Sequence, residues 1–447
     1  VVILLVLTAL APALFFIYDL WAATVSLFIA LPFVLKKHRV SPAFPFLLIF
    51  IAAAVLVSAR SPASFESFIF VLQSLLYAAF FLAGVEADGK KALVPLAALA
   101  MMPFMFASGV NPNVVSSYAG LLFVLITLAP LAQKIKYILG GLALFFILFN
   151  SSLTVLFVLM SAGILAGRRK YPPAARYGLP LIALFALMAA AVNFQSLTDR
   201  FSWWSEALKI FAANPMGIGF FASKYYLPSA AAQNTLFAHS FLLQFLAEGG
   251  ILCIIPAAFA LRAVLKNRMP GKYNFAIYAV LLLGALDLSY YFTAHGMLAA
   301  FIIGLGQKKG DGSSPFFPFS FKIIFILGAV LSLLMFHTSR ILAGGAVHLF
   351  AGDARRAAAE FEEAFEYPAY PALLAAKAAA YSIIAEREGL ADFRKMSFEL
   401  QSKAIPDRRS SAYRDLENAR KAQDMGLLRN SCWKILLLNG IRPRHGQ

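Results

Sequence analysis

The chain has 447 residues, 61% of them hydrophobic and 14% charged, with a mean hydropathy of +0.75 and a formal net charge of +17. A soluble domain is about 45–50% apolar and about 25% charged, so too few polar side chains are present to cover a water-facing surface of this size. A single soluble enzyme domain, a disordered chain and a small disulfide scaffold are excluded, and a polytopic all-α membrane protein is expected.

Spans of about 17–25 apolar residues suffice to cross a bilayer. Along the chain about 12–13 such runs are expected, at 1–18, 20–35, 43–58, 67–85, 91–107, 114–132, 137–149, 151–166, 178–194, 239–265, 274–289, 293–307 and 320–337. The long run 137–167 is split at Asn150-Ser151-Ser152. The opening run has no small-residue cleavage site and is read as a retained helix. Most of the charge excess, +13, falls in residues 1–339, against +4 in 340–447. It sits in short alternate loops: Lys36, Lys90, Lys134, Lys136, Arg168, Lys266, Arg268, Lys272 and Lys308 on one side, few cations on the other. That is the positive-inside pattern and not a nucleic-acid groove, so no nucleic-acid partner is expected. The N-terminus is then cytoplasmic, and the transmembrane segments 1–194 and 239–339 flank an extracytoplasmic loop over 195–238.

Residues 340–447 are charged and Ala-rich, and are expected as an extracytoplasmic helical domain. Ala357, Phe361 and Ala364 carry tetratricopeptide-like spacing, with a weaker echo at Gly389, Phe398 and Pro406. Two readings stand: a repeat-like module that docks an envelope protein, or a helical cap on the last span. Cys253 and Cys432 are isolated, and no metal-binding spacing occurs.

Phosphate-binding loops, zinc-protease motifs and nucleophile elbows are all absent from the sequence. Acids and lysines are nearly missing inside the spans, which argues against an ion-coupled carrier. The chemistry concentrates in residues 200–250: Arg200, Trp204, a rigid Pro215-x-Gly217-x-Gly219 turn, then His239-Ser240 opening a helix that carries Glu248 and Gly250. A His in the first turn of a helix is biased toward neutral imidazole by the macrodipole and can take a proton from a hydroxyl. The plainer alternative is a His bonding loop backbone. Trp203, Trp204, Tyr225 and Tyr226 are equally readable as interfacial anchors. Glu248 is expected in helix packing or a polar network.

These residues resemble the O-antigen ligase and O-antigen polymerase family of bacterial envelope glycosyltransferases. Its long external loop carries Arg, a nearby Trp, a Pro-x-x-Gly-x-Gly-like turn, then His-Asn-x-x-Leu-x-x-x-x-Glu-x-Gly; this chain supplies Arg200, Trp204, Pro215, Gly217, Gly219, His239, Leu243, Glu248 and Gly250. Two positions depart. The family's Asn after the His is Ser240, and its Ser-Arg pair before the loop reads Ser152-Leu153.

The resemblance implies an inner-membrane enzyme of lipopolysaccharide or related polysaccharide biosynthesis. It would move a glycan from an undecaprenyl-diphosphate carrier to an acceptor hydroxyl on a lipid or another glycan, without metal or cofactor and with inversion. His239 would be the base, Arg200 the main diphosphate contact, and Arg60, Lys224, Ser240 and Trp204 further substrate contacts. Ligase and polymerase share this donor chemistry and stay open as alternatives, as does a non-enzymatic polysaccharide exporter or scaffold.

Overall fold

The computed structural model describes residues 20–36, 38, 40–87, 112–149, 152–167, 194–226, 240–286, 289–291, 293–308, 316–365, 369–405, 411–439 and 441, with isolated positions 178, 180 and 183. Among them the chain is all-helical, with sixteen α-helices and no strand. Three helices are long and apolar enough to cross a membrane, and six shorter apolar helices accompany them. The expected spans 1–18 and 91–107 lie outside the described residues.

The apolar part comprises α1 (Leu20–Val34), α2 (Phe44–Arg60), α3 (Ser64–Glu86), α4 (Pro112–Leu128), α5 (Gln133–Phe149) and α6 (Leu153–Gly167). It continues with α7 (Phe194–Ala213), α8 (Phe241–Lys266), α9 (Lys272–Leu286), α10 (Thr293–Leu305) and α11 (Phe316–Phe350). α5 and α6 flank the expected break at 150–152. α3 is the central helix, buried along nearly its whole length and packed by α1, α2, α10 and α11. In contrast, α11 buries Phe321, Phe325, Ala329 and Met335 and exposes Phe319, Ile323, Leu327, Val330 and Leu334. An apolar stripe of that length has no reason to face water, and a bilayer would cover it.

Three boundaries differ from the sequence expectation. The loop expected over 195–238 contains a 20-residue helix, α7. Its half-polar sequence hides it from a search for apolar runs, while its residues Ala207 and Ile210 are buried. α8 starts at Phe241 behind the N-cap Ser240, two residues later than the expected start at 239. And α11 does not stop at 337 but runs unbroken to Phe350, joining the apolar part to the C-terminal helices.

Those helices are α12 (Ala354–Glu362), α13 (Pro371–Glu388), α14 (Ala391–Ala404), α15 (Ser411–Ala422) and α16 (Met425–Leu438). α13 lies in the middle, against α12, α14 and α16. Its alanines Ala375, Ala376, Ala378, Ala379 and Ala380 are all buried, because small side chains let neighbours approach from several sides. Asp353 and Asp424 cap α12 and α16 by accepting backbone N–H groups, and Gly389 ends α13 in a left-handed conformation.

The ends of the molecule differ in chemistry. At the C-terminal end of α3, Glu86 pairs with His38 at 2.9 Å, Met269 N–H donates to the Gly306 carbonyl, and Lys272 caps the Leu128 carbonyl at 2.7 Å. α3 spans about 34 Å at 1.5 Å per residue. Its other end, at Ser64–Glu66, meets residues 218–225 and the C-terminal helices.

Candidate functional site

The site is built around a break in α8. Gly250 sits at φ 59° and ψ −166°, a conformation reserved for glycine, so two groups of the helix ladder lose their partners there. The turn after α7 supplies replacements. Gly219 N–H donates to the Glu248 carbonyl at 3.0 Å, and Ile251 N–H donates to the Pro215 carbonyl at 2.9 Å. Gly217 and Gly219 also have positive φ, 88° and 99°. A Cβ on Gly217 would strike the Glu248 carbonyl and Gly249; one on Gly219 would strike Ser61 and Ser67; one on Gly250 would strike Gly217 and Pro215. Pro215, Gly217, Gly219 and Gly250 therefore form one device: a turn seated in a broken helix. The corner between α2 and α3 holds its other side, where Ser61 Oγ donates to the Ile218 carbonyl at 2.8 Å.

Past the turn, a 3-10 segment, Ser223–Tyr225, stands between two buried carboxylates. On one side is Glu248, fully buried. Tyr291 Oη donates to its Oε2 at 2.7 Å, and Gln244 Nε2 and Ser223 N–H donate to its Oε1 at 2.7 and 3.2 Å. Gln244 also bonds the Ser223 hydroxyl. On the other side Tyr225 Oη donates to Glu66 Oε1 at 2.5 Å, and Lys224 Nζ lies 3.7 Å from the same oxygen. Lys224 Nζ donates to Asn439 Oδ1 at 2.7 Å. Burial pushes the Lys224 amine below its ordinary range, and Glu66 and then Glu248 pull it back. Burial and the adjacent Glu66 push the Tyr225 phenol well above its own range. An aromatic layer lies beneath: Phe70 stacks on Phe220 at 3.9 Å, and Phe221 and Phe241 meet Tyr291 edge-on at 5.0 and 5.3 Å.

The residues singled out from sequence divide clearly. Lys224 is brought into the site, but its amine is committed to Glu66 and Asn439. Ser240 caps α8, accepting from Leu243 N–H at 3.4 Å and donating to the Ala285 carbonyl at 2.9 Å, so its hydroxyl has internal work. Trp204 packs edge-to-face on Phe201 at 5.3 Å and against the cluster shared by α7, the turn and the C-terminal helices; its indole N–H is buried without a hydrogen-bond partner among the described residues. Arg60 is exposed at the end of α2 and Arg200 half-buried on α7; neither makes a hydrogen bond or ion pair among the described residues. His239 lies outside the described residues.

Sequence reasoning missed Glu66, Gln244, Tyr291 and Asn439, and it read Tyr225, which is buried with its hydroxyl on Glu66, as an interfacial anchor. Two acids in the apolar helices are buried: Glu66 opens α3, one residue before the expected span, and Glu248 lies in the polar network expected for it. A carboxylate within an apolar run was the available signal, since its burial is costly unless donors converge on it. Among the described residues, no three His, Cys, Asp or Glu side chains lie close enough to hold a metal ion.

Comparison with protein-family models, with curated proteins and with solved structures finds no match to this chain.

Proposed function

We propose that the chain is a multi-pass enzyme of a bacterial inner membrane that transfers a glycan from an undecaprenyl-diphosphate carrier to an acceptor hydroxyl on the extracytoplasmic face, as O-antigen ligases do. The observation that carries the reading is the seating of Pro215–Gly219 in the α8 break. It gives the motif residues of the resemblance a common purpose, fixing the chain on both sides of the segment that ends at His239. Ser240 then anchors the start of α8 directly after that histidine.

The cations support a division of labour. A diphosphate is already a good leaving group, so the site needs positioning and charge stabilisation. Arg60 and Arg200, without internal partners among the described residues, are suited to that task by their fixed paired donors. Lys224 is reassigned to holding the turn. His239 takes the proton of the acceptor hydroxyl as its oxygen attacks the anomeric carbon; the C–O bond to the diphosphate breaks, and the diphosphate carrier leaves with the bonding pair. The orientation follows from the short-loop lysines and arginines: the end of the molecule that holds Lys136 and Lys272 is read as cytoplasmic, which leaves Glu66, the turn and the C-terminal helices at the outer end. The C-terminal helices, tetratricopeptide-like in their small-residue spacing, form the outer domain.

The test is reconstitution in vesicles with an undecaprenyl-diphosphate oligosaccharide and a lipid A-core or glycan acceptor. Product formed without added nucleotide sugar supports the reading. Absence of product from all acceptors, with the donor intact, rejects it.

A further inference from the structure

The C-terminal helices touch the buried polar group at two separate points. At the first, Ala369 N–H donates to Ser64 Oγ at 2.7 Å, Phe65 N–H donates to the Ala369 carbonyl at 3.0 Å, and the rings of Phe65 and Tyr370 stack at 3.9 Å and 7°. These contacts grip the first turn of α3, next to Glu66. At the second, Asn439, which follows the last residue of α16, reaches the 3-10 segment. Its Oδ1 accepts from Lys224 Nζ at 2.7 Å, and its Nδ2 donates to Tyr225 Oη at 3.0 Å and to the Ile435 carbonyl at 2.9 Å.

An amide is suited to this place because it accepts and donates from one rigid plane. Lys224 needs the acceptor: its side chain is 12% exposed, and its only carboxylate neighbour within ion-pair range among the described residues, Glu66, stands at the longer distance of 3.7 Å. Tyr225 spends its proton on Glu66, so its oxygen is left to accept. Asn439 serves both with one side chain. Without it, a buried cation loses its shortest hydrogen bond, and the low-cost response is for Lys224 to swing out toward water, taking Ser223 and Tyr225 with it. Ser223 is the residue whose N–H binds Glu248, and Gly219, four residues earlier, is bonded to the carbonyl of that same Glu248.

We infer that Asn439 is a positioning residue, and that through Lys224 and Tyr225 the C-terminal helical domain clamps the 214–226 segment in register against the break in α8. The domain is thereby part of the buried polar group rather than an appendage. The geometry stands without the transferase reading.

The experiment is hydrogen–deuterium exchange on the full chain in detergent, read separately for 214–226 and for α13 and α14. Asn439→Leu is expected to speed exchange in 214–226 by roughly tenfold while α13 and α14 keep their protection. Unchanged exchange in 214–226 overturns the inference. Should Asn439→Leu strip protection from α13 and α14 as well, Tyr225→Phe decides in the same readout: faster exchange confined to 214–226 supports the clamp, and none overturns it. The double variant Tyr225→Phe/Asn439→Leu is expected to exchange more slowly than the product of the two single effects, because the Asn439–Tyr225 bond is already lost in each single variant. Multiplying effects would overturn the coupling. No transfer assay enters these outcomes, so loss of the enzymatic reading leaves them intact.

Discussion

Gly219 and Glu248, 29 positions apart, share a backbone hydrogen bond of 3.0 Å that exists only because α8 is broken at Gly250. In an unbroken helix the Glu248 carbonyl would accept from within its own ladder. Substituting Gly250 with Ala should therefore damage the turn and the helix together. The residue would have to adopt a conformation costing about 1–3 kcal/mol, with its Cβ against Pro215 and Gly217. An apparent Tm lower by about 1–3 °C from the backbone cost alone, and further with the clash, is expected in a thermal melt in detergent. An unchanged melt would contradict the assigned geometry.

Glu248 accepts three hydrogen bonds from Tyr291, Gln244 and Ser223. Glu248→Leu strands all three donors in an apolar setting, each at about 1–3 kcal/mol. Glu248→Gln keeps an acceptor for one side and turns a competing donor toward Tyr291. Thermal stability should fall in the order wild type, Gln, Leu. A Leu variant as stable as wild type would show that the network contributes nothing to folding.

The three cations should separate by kind. Arg60→Ala and Arg200→Ala remove groups that hold nothing together among the described residues, so the melt should stay close to wild type. If both bind diphosphate, KM for the lipid-linked donor should rise by roughly tenfold or more, in line with about 1.5–3 kcal/mol for a hydrogen bond to a charged group. Lys224→Met should instead lower the melt, since it leaves Glu66 and Asn439 facing an apolar side chain. Equal effects of all three on donor affinity, with no change in stability, would return Lys224 to the substrate.

The C-terminal helical domain carries its own pH marker. Arg355 Nε donates to Glu388 Oε1 at 2.6 Å, and this contact holds the Glu388 carboxyl below its ordinary 4.5. A carboxylate with a depressed folded-state value stabilises above the unfolded value, and that contribution is lost as pH falls through the folded one. Both side chains face solvent, so the effect is small and salt-sensitive. Glu388→Gln should flatten the acid side of the Tm-against-pH curve below about pH 4.5 and leave neutral pH nearly unchanged. A curve identical to wild type below that pH would remove the pair from the stability balance.

Local chemistry made part of this molecule readable in advance. Long apolar runs give the helical class, and Pro215-x-Gly217-x-Gly219 announces a turn because only glycine tolerates the angles and approaches found there. The rest depends on distance along the chain. Nothing near Asn439 marks it as a partner for Lys224, 215 residues earlier, and a half-polar helix such as α7 looks like a loop to any search for apolar spans. Glu66 was legible in principle: an acid opening a run of Phe and Leu demands donors, and those donors proved to be Tyr225 and Lys224.

The transferase account is tested most directly by single-turnover transfer from an undecaprenyl-diphosphate oligosaccharide, comparing wild type with His239→Ala at matched folded protein. The account predicts product from wild type and a rate lower by roughly 10²–10⁴ in the variant, the usual worth of a general base. Transfer by His239→Ala at the wild-type rate would contradict it.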